Sequence, residues 1–296
     1  MEIEKNTNII NDNSKHIVFY GNCQCKESVE SFKKVPGIKV NYCINFVHIK
    51  TIKPNEHIYP KYFHDCDVFI YQPLEMSGYE VSYILNNILK KDCKIISFPY
   101  IYFSGYWPDY FEEPFNKRTI KLPERPYGEY PYGFRILNSI INFDYNLSFD
   151  KIMIDYEQKL KHEEIDLKKT TSLKILKEKE IRNNIDIRFA DFIEENYKKV
   201  KLFDTVNHPS NILLERLFNQ ICEKINIKAE FIPKILDNHC TPIHPKVQKY
   251  LNLEFDCEEC VHHLNKISRN EWYSKYIDFL KENMENMENM KNLKKV

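Results

Sequence analysis

The chain has 296 residues, 43 basic against 43 acidic side chains, and is 43% hydrophobic and 29% charged. That length supports one large domain or two modest ones around a substantial core, and the composition excludes a disordered or fibrous chain. Zero formal net charge argues against nucleic acid as the main partner, because phosphate binding needs a basic excess on some face.

In chain order, Met1–Ser14 is polar and Asn-rich, which predicts a disordered N-terminus without the apolar segment a signal peptide needs. Lys15–Tyr20 predicts a first strand ending at Gly21, with helical composition over Gln24–Lys34. A second strand is expected at Ile38–Tyr42, a third at Asp67–Tyr71 closed by Pro73, and a fourth at Cys93–Phe98 closed by Pro99. The apolar periodicity of Tyr79–Lys91 between the last two predicts a helix. Short, continuously apolar strands separated by helical stretches predict a parallel sheet covered on both faces.

Pro99–Pro131 is aromatic and proline-rich, too apolar for a linker and too interrupted for a regular element. Ile136–Asn146, Phe149–Glu164 and Thr171–Lys198 then show apolar positions at helical spacing. Val200–Phe203 predicts another strand, and Pro209–Asn226 an amphipathic helix that starts at its proline. Asn283–Asn292 repeats Asn-Met-Glu and reads as a helix end. The expected organisation is an N-terminus over 1–14, one α/β domain over 15–282 with a helical insertion at about 134–198, and a tail over 283–296.

No apolar run approaches the ~18 residues that cross a bilayer. Nine cysteines without an export segment point to reduced thiols in a cytoplasm. Six glycines, the last at Gly133, leave no GxGxxG turn and no phosphate loop; Gly128 and Gly133 have the loop spacing, but Phe134 follows where Lys is required.

The turn Gly21-Asn22-Cys23-Gln24 follows the first strand, where ligands gather in open parallel sheets. A glycine permits a tight turn there, and a helix starting near Gln24 aims free N–H groups at whatever lies above. Cys23 thus occupies a nucleophile's position with Asn22 and Gln24 as amide donors; the alternative is a small buried hydrophobe. His208 is the best-placed base, after a predicted strand and before a helix, with Asp204 or Asn207 to orient the imidazole. If both strands run parallel in one sheet, the two loops open on the same edge. Taken alone, His208 reads equally as a helix cap.

Cys257, Cys260, His262 and His263, with His239, Cys240 and His244 upstream, carry thiols and imidazoles at spacings that match no standard zinc finger, and no metal is expected. Tyr102, Tyr106 and Trp107 offer a platform for a sugar ring or a pantetheine arm, although packing explains them equally well. Arg118, Arg125 and Arg135 are the nearest phosphate clamps.

Four motifs in order carry a resemblance: GNCQ (Gly21–Gln24), DVFIYQPL (Asp67–Leu74), SFPYIYFSGYWP (Ser97–Pro108) and LFDTVNHPS (Leu202–Ser210). Together they resemble the WcbI-type polysaccharide biosynthesis family over about Lys15–Asn226. The resemblance implies a cytoplasmic acetyltransferase with acetyl-CoA as donor and a sugar, nucleotide-sugar or polysaccharide acceptor. The implied fold is SGNH-hydrolase-like or flavodoxin-like, with a helical insertion and a helical C-terminus. Gly21, Asn22, Cys23 and Gln24 match the first motif, Gln72 the polar residue after the third strand, and Asn207, His208 and Pro209 the last. Asp204 lies four residues before His208, where SGNH enzymes have a three-residue step. An SGNH-like carbohydrate esterase and a non-enzymatic carbohydrate-binding protein remain the alternatives, and the sugar, the acyl group and the oligomeric state stay open.

Overall fold

The computed structural model describes residues 14–52, 59–73, 81–112, 128–234, 240–262 and 265–293, with side chains to 287. In chain order the elements are β1 (Lys15–Gly21), α1 (Cys23–Lys34), α2 (Pro36–Asn41), β2 (Tyr42–His48), β3 (Val68–Tyr71), α3 (Ser82–Asn87) and β4 (Lys94–Ser97). There follow β5 (Tyr110–Glu112), β6 (Tyr132–Phe134), α4 (Arg135–Phe143), α5 (Phe149–Lys159), α6 (His162–Arg182), α7 (Ala190–Asn196) and β7 (Phe203–Thr205). The chain closes with β8 (His208–Pro209), α8 (Asn211–Lys224), α9 (Pro245–Leu251), β9 (Glu259–His262), β10 (Asn265–Ser268) and α10 (Arg269–Leu293). It divides into two compact units, one of Met1–Ile101, Leu176–Phe192 and Pro209–Ile235, the other of Tyr102–Ile175, Ile193–His208 and Leu236–Val296.

The first unit holds a four-stranded parallel sheet in the order β2-β1-β3-β4. Its central strands, IVFY and VFIY, are buried on both faces, which is why they read as continuous apolar runs. Phe19 packs on Phe32 of α1, and Phe32 on Phe218 of α8, with ring centroids 5.4 and 4.6 Å apart. Val18, Tyr20, Phe69 and Tyr71 form a cluster with Phe63, Ile84 and Cys93. The strand order reverses direction between β1 and β3, the flavodoxin-like switch point, so a ligand crevice is expected at the carboxyl ends of those two strands.

Several expected boundaries move. Ile38–Tyr42 is not a strand: Pro36 presets the backbone for a helical turn, α2 runs to Asn41, and the strand is the β-branched stretch from Tyr42 onward. The expected helix over Phe149–Glu164 breaks at Leu160, and α6 begins at His162. The expected helix over Thr171–Lys198 breaks after Arg182, where Asn184 turns left-handed (φ 46°). Beyond the break Ile187 N–H donates to Ser97 O at 3.1 Å, so this segment runs along β4. The carboxylate of buried Glu180 accepts from the N–H groups of Phe189 (2.6 Å) and Ala190 (3.1 Å), seating the start of α7. The strand expected at Val200–Phe203 is β7, two or three residues later, and Pro209 lies in β8 rather than opening α8, whose N-cap is Ser210.

The second unit is aromatic. Phe134, Tyr156, Tyr273 and Tyr276 are buried together, and the antiparallel pairs β5–β6 and β9–β10 belong to it. The Asn-Met-Glu repeat continues α10 rather than departing from it. No helix among the described residues is long and apolar enough to cross a membrane.

Candidate active site

At the carboxyl end of β1 the backbone passes so close to the side chains of Gln72 and of Cys25 in α1 that a Cβ is crowded out. A Cβ on Gly21 would lie 2.5 Å from Gln72 Oε1 and 2.8 Å from Cys25 Cβ. The reason for Gly21 is therefore close approach rather than the tight turn expected from sequence. Asn22 caps α1, its Oδ1 accepting from Gln24 N–H at 3.0 Å, while its own N–H donates to Gln72 Oε1 at 3.0 Å. Cys23 is the first helical residue and is half-buried.

Gln24 and Gln72 are not open to a ligand. Both are buried, and Gln72 Nε2 donates to Gln24 Oε1 (3.2 Å) and to Pro99 O (3.4 Å). Gln24 Nε2 donates to Ile101 O at 2.6 Å, and its Oε1 accepts from Ile101 N–H at 3.0 Å. The two amides brace the ends of β1, β3 and β4, satisfying backbone groups that would otherwise be buried unpaired. The side-chain amide nitrogen of Asn22 has no hydrogen-bond partner among the described residues, so it and the first-turn N–H groups of α1 other than that of Gln24 are the donors beside Cys23. Burial, and then Cys23 itself, push the Cys25 thiol well above its ordinary value, which leaves Cys23 as the thiol at this edge with solvent access. His48 ends β2 in register with Gly21, so it shares this edge. Burial, then Lys50 and Lys26, lower its imidazole, and its Nδ1 accepts from Lys50 N–H at 3.2 Å. Sequence reasoning gave His48 no role; the register that places it there emerges only once β2 is seen to start at Tyr42.

His208, Asp204 and Asn207 share the β7–β8 hairpin. Their hairpin is a separate two-stranded sheet, so a common parallel sheet is not what relates His208 to Cys23. His208 is half-buried, and its Nε2 lies 3.3 Å from the Tyr132 hydroxyl, with the two rings edge to face. Tyr132 escaped sequence reasoning; it directly follows the proline-rich stretch, where no periodicity marks it. Asp204 pairs with Lys201 at 3.6 Å, and its carbonyl accepts from Thr241 N–H at 2.9 Å. Asn207 Oδ1 accepts from the Thr205 hydroxyl at 3.1 Å.

The aromatic platform divides. Tyr106 and Trp107 are core residues, Tyr106 donating to Tyr197 O at 2.6 Å and Trp107 Nε1 to Pro242 O at 3.0 Å, so packing accounts for them. Tyr102 is half-buried, its hydroxyl raised by burial. Arg135 is exposed and ion-paired with Glu164, whereas Arg118 and Arg125 lie outside the described residues. Cys257 and Cys260 are buried at and beside β9, Cys240 is buried next to it, and His244 caps α9. His239 and His263 lie outside the described residues, and among those described no group of three or more His, Cys, Asp or Glu could hold a metal.

Fold and turn together define an α/β protein with a half-buried thiol at the first residue of the helix that follows its central strand β1. The chain belongs to the WcbI polysaccharide biosynthesis enzyme family, whose description matches residues 16–230. It is similar to a solved structure of WcbI, described as a novel polysaccharide biosynthesis enzyme in its native form without a disulfide bond between CoA and a cysteine. That match has a TM-score of 0.69 at 19% identity, covering 91% of this chain and 90% of the other. No curated protein sequence matches the chain.

Proposed function

We propose that the chain transfers an acetyl group from acetyl-CoA to a sugar hydroxyl in the making of a surface polysaccharide, with Cys23 as the nucleophile and His208 as the base. The observation that carries this is the half-buried Cys23 thiol at the first position of α1, at the carboxyl ends of β1 and β3. Family membership supports a polysaccharide-building enzyme, and the similar structure, described as the native form without a disulfide between CoA and a cysteine, supports a site where the CoA thiol and a protein thiol meet.

Cys23 Sγ attacks the thioester carbonyl, CoA leaves as its thiol, and the acetyl group rests on sulfur. The tetrahedral oxyanion formed on the way is held by the Asn22 amide and the first-turn N–H groups of α1 that the cap does not use, which need no reorganisation because the cap fixes the turn. His208 then takes the proton of the sugar hydroxyl as that oxygen attacks the acetyl-cysteine carbonyl, and the sulfur leaves. Tyr132 orients the imidazole through its contact with Nε2. Among the described residues Tyr102 is our candidate for the pantetheine arm, and Arg135, on exchanging its Glu164 partner, for a phosphate.

Peptide mass spectrometry after acetyl-CoA is added without acceptor tests the covalent step. An acetyl group on Cys23, absent from Cys23→Ala, is the expected result. Acetyl transfer without any such adduct would leave His208 acting directly on the sugar. Hydrolysis of a model acetyl ester, with no thermal shift on adding CoA, would overturn the proposal in favour of an esterase.

A further inference from the structure

The carboxyl edge of the parallel sheet carries positive charge that the acyl-transfer steps do not use. β1 and β2 pair in parallel, with Phe19 opposite Phe46 and Gly21 opposite His48. Residues opposite each other in such a ladder project to the same face, and Phe19 lies against Phe32 of α1, so Phe46 and His48 face α1 as well. The Phe46 and His48 rings meet edge to face, their centroids 6.2 Å apart. His48 then caps the short turn Ile49–Thr51: its Nδ1 accepts from Lys50 N–H at 3.2 Å, and its carbonyl accepts from the Thr51 hydroxyl at 2.7 Å. Lys26 lies one turn beyond Cys23 in α1, a spacing that sets their Cβ atoms about 5–6 Å apart.

Burial first, and then the Lys50 and Lys26 ammoniums, lower the His48 imidazole, so the ring is neutral and both cations act on it. With Nδ1 accepting, the hydrogen of the neutral ring sits on Nε2. Lys26 and Lys50 are exposed, and neither has a carboxylate partner among the described residues. Two ammoniums and a ring N–H at one rim, without a carboxylate to neutralise them, suit a phosphate.

Reach separates the phosphates that could come there. In CoA about 13 bonds lie between the sulfur and the nearest phosphorus, or about 15 Å for an extended arm at about 1.2 Å per bond. In a sugar 1-phosphate only about 4–6 bonds, or about 5–7 Å, separate a ring hydroxyl from the phosphorus. A phosphate on Lys26 beside an acetyl group on Cys23 fits the second span and not the first.

We propose that the acyl acceptor is a sugar carrying a phosphate or diphosphate on its anomeric carbon, held by Lys26, Lys50 and the His48 Nε2–H, rather than a finished polysaccharide. This rests on the acyl-transfer function proposed for Cys23 and names its acceptor. The anchored phosphate brings a ring hydroxyl to the acetyl group, while the donor's phosphates lie a pantetheine arm away. An anomeric phosphate is lost when a glycosidic bond forms, so acylation precedes polymerisation, and a sugar-activating reaction must supply the substrate.

Titration calorimetry of the full chain tests this with CoA and with inorganic pyrophosphate, a probe independent of the sugar's identity. Wild type is expected to bind both, and the Lys26→Gln/Lys50→Gln protein to bind pyrophosphate about tenfold more weakly, with CoA affinity within about twofold. Glucose 1-phosphate, unlike glucose, is expected to displace pyrophosphate. No pyrophosphate binding, equal affinity in the variant, or failure of glucose 1-phosphate to displace the probe overturns the proposal. A variant that loses CoA as strongly as pyrophosphate also overturns it, because the lysines then serve the donor. Wild type that holds pyrophosphate through the lysines but binds no CoA overturns acyl transfer itself, and the acceptor role with it, a failure distinct from the others.

Discussion

Gly21 illustrates how one missing methyl group sets a site. Its Cα lies where a side chain would collide with Gln72 Oε1, and that oxygen is itself held by Asn22 N–H. Gly21→Ala must push Gln72 off its brace, and we expect a loss of about 1–3 kcal/mol, the usual cost of overpacking a fixed core. Urea unfolding of the two proteins checks it; an unchanged midpoint would mean that the Gln72 amide yields freely. Tyr132 is the second residue whose role is local. Under acyl transfer, Tyr132→Phe removes the hydroxyl beside His208 Nε2 and should lower kcat about tenfold, with the KM for acetyl-CoA little changed and the pH–rate profile displaced. An unmoved pH profile would reduce Tyr132 to a packing residue. Cys23 stands out as a candidate at this scale because a thiol two residues after a strand-ending glycine is conspicuous. Gln24, expected as an amide donor, is buried and braced by Ile101 and Gln72, because an amide's partners lie on segments distant in sequence.

Among the elements, the break between α6 and α7 is the least expected feature, since the apolar spacing runs through it unbroken. Competition from the sheet explains the interruption: Ile187 N–H bonds Ser97 O, and Asp186 Oδ2 accepts from Ser97 N–H at 2.8 Å, so a pairing partner outside the helix claims the segment. Glu180 then supplies the carboxylate that restarts the helix. Glu180→Ala leaves two N–H groups without their acceptor and should cost about 2–4 kcal/mol, whereas Glu180→Gln keeps an oxygen there and should recover at least half. Thermal or urea unfolding of both variants decides it, and equal losses would rule out the capping role. The hairpin of His208 teaches a related lesson. Asn207-His208-Pro209 reads as a helix entrance, and only the pairing of β7 with β8 moves that entrance to Ser210.

Across the whole molecule, two buried groups touching Tyr156 make stability depend on pH in opposite senses. Asp109 accepts from the Tyr156 hydroxyl at 3.0 Å, and burial raises its carboxyl to about 6. A raised carboxyl binds its proton more tightly in the folded chain, so its contribution favours folding at low pH and is lost as pH climbs towards 6. His244, its ring centroid 4.7 Å from that of Tyr156, is lowered to about 4, first by burial and then by Arg269 and Lys246. A lowered imidazole contributes stability above its unfolded value of about 6.5, and that contribution is lost as pH falls towards 4. Relative to wild type, Asp109→Asn should therefore gain in melting temperature from pH 4 to 6, and His244→Asn, which still caps α9, should lose over the same interval. Difference curves of the same sign for the two variants would contradict this assignment.

The sequence by itself determined the fold class, the positions of β1, β3 and β4, and the candidate thiol, because these depend on short-range patterns: apolar runs, strand-ending glycine or proline, and a capping asparagine. It also carried the family, through four motifs in fixed order. Tertiary structure decided which polar side chains are braces and which remain available, where long helical patterns are cut, and that Tyr106 and Trp107 are core. Those outcomes depend on which distant backbone groups need a hydrogen-bond partner once buried, a demand that appears only when the strands have come together.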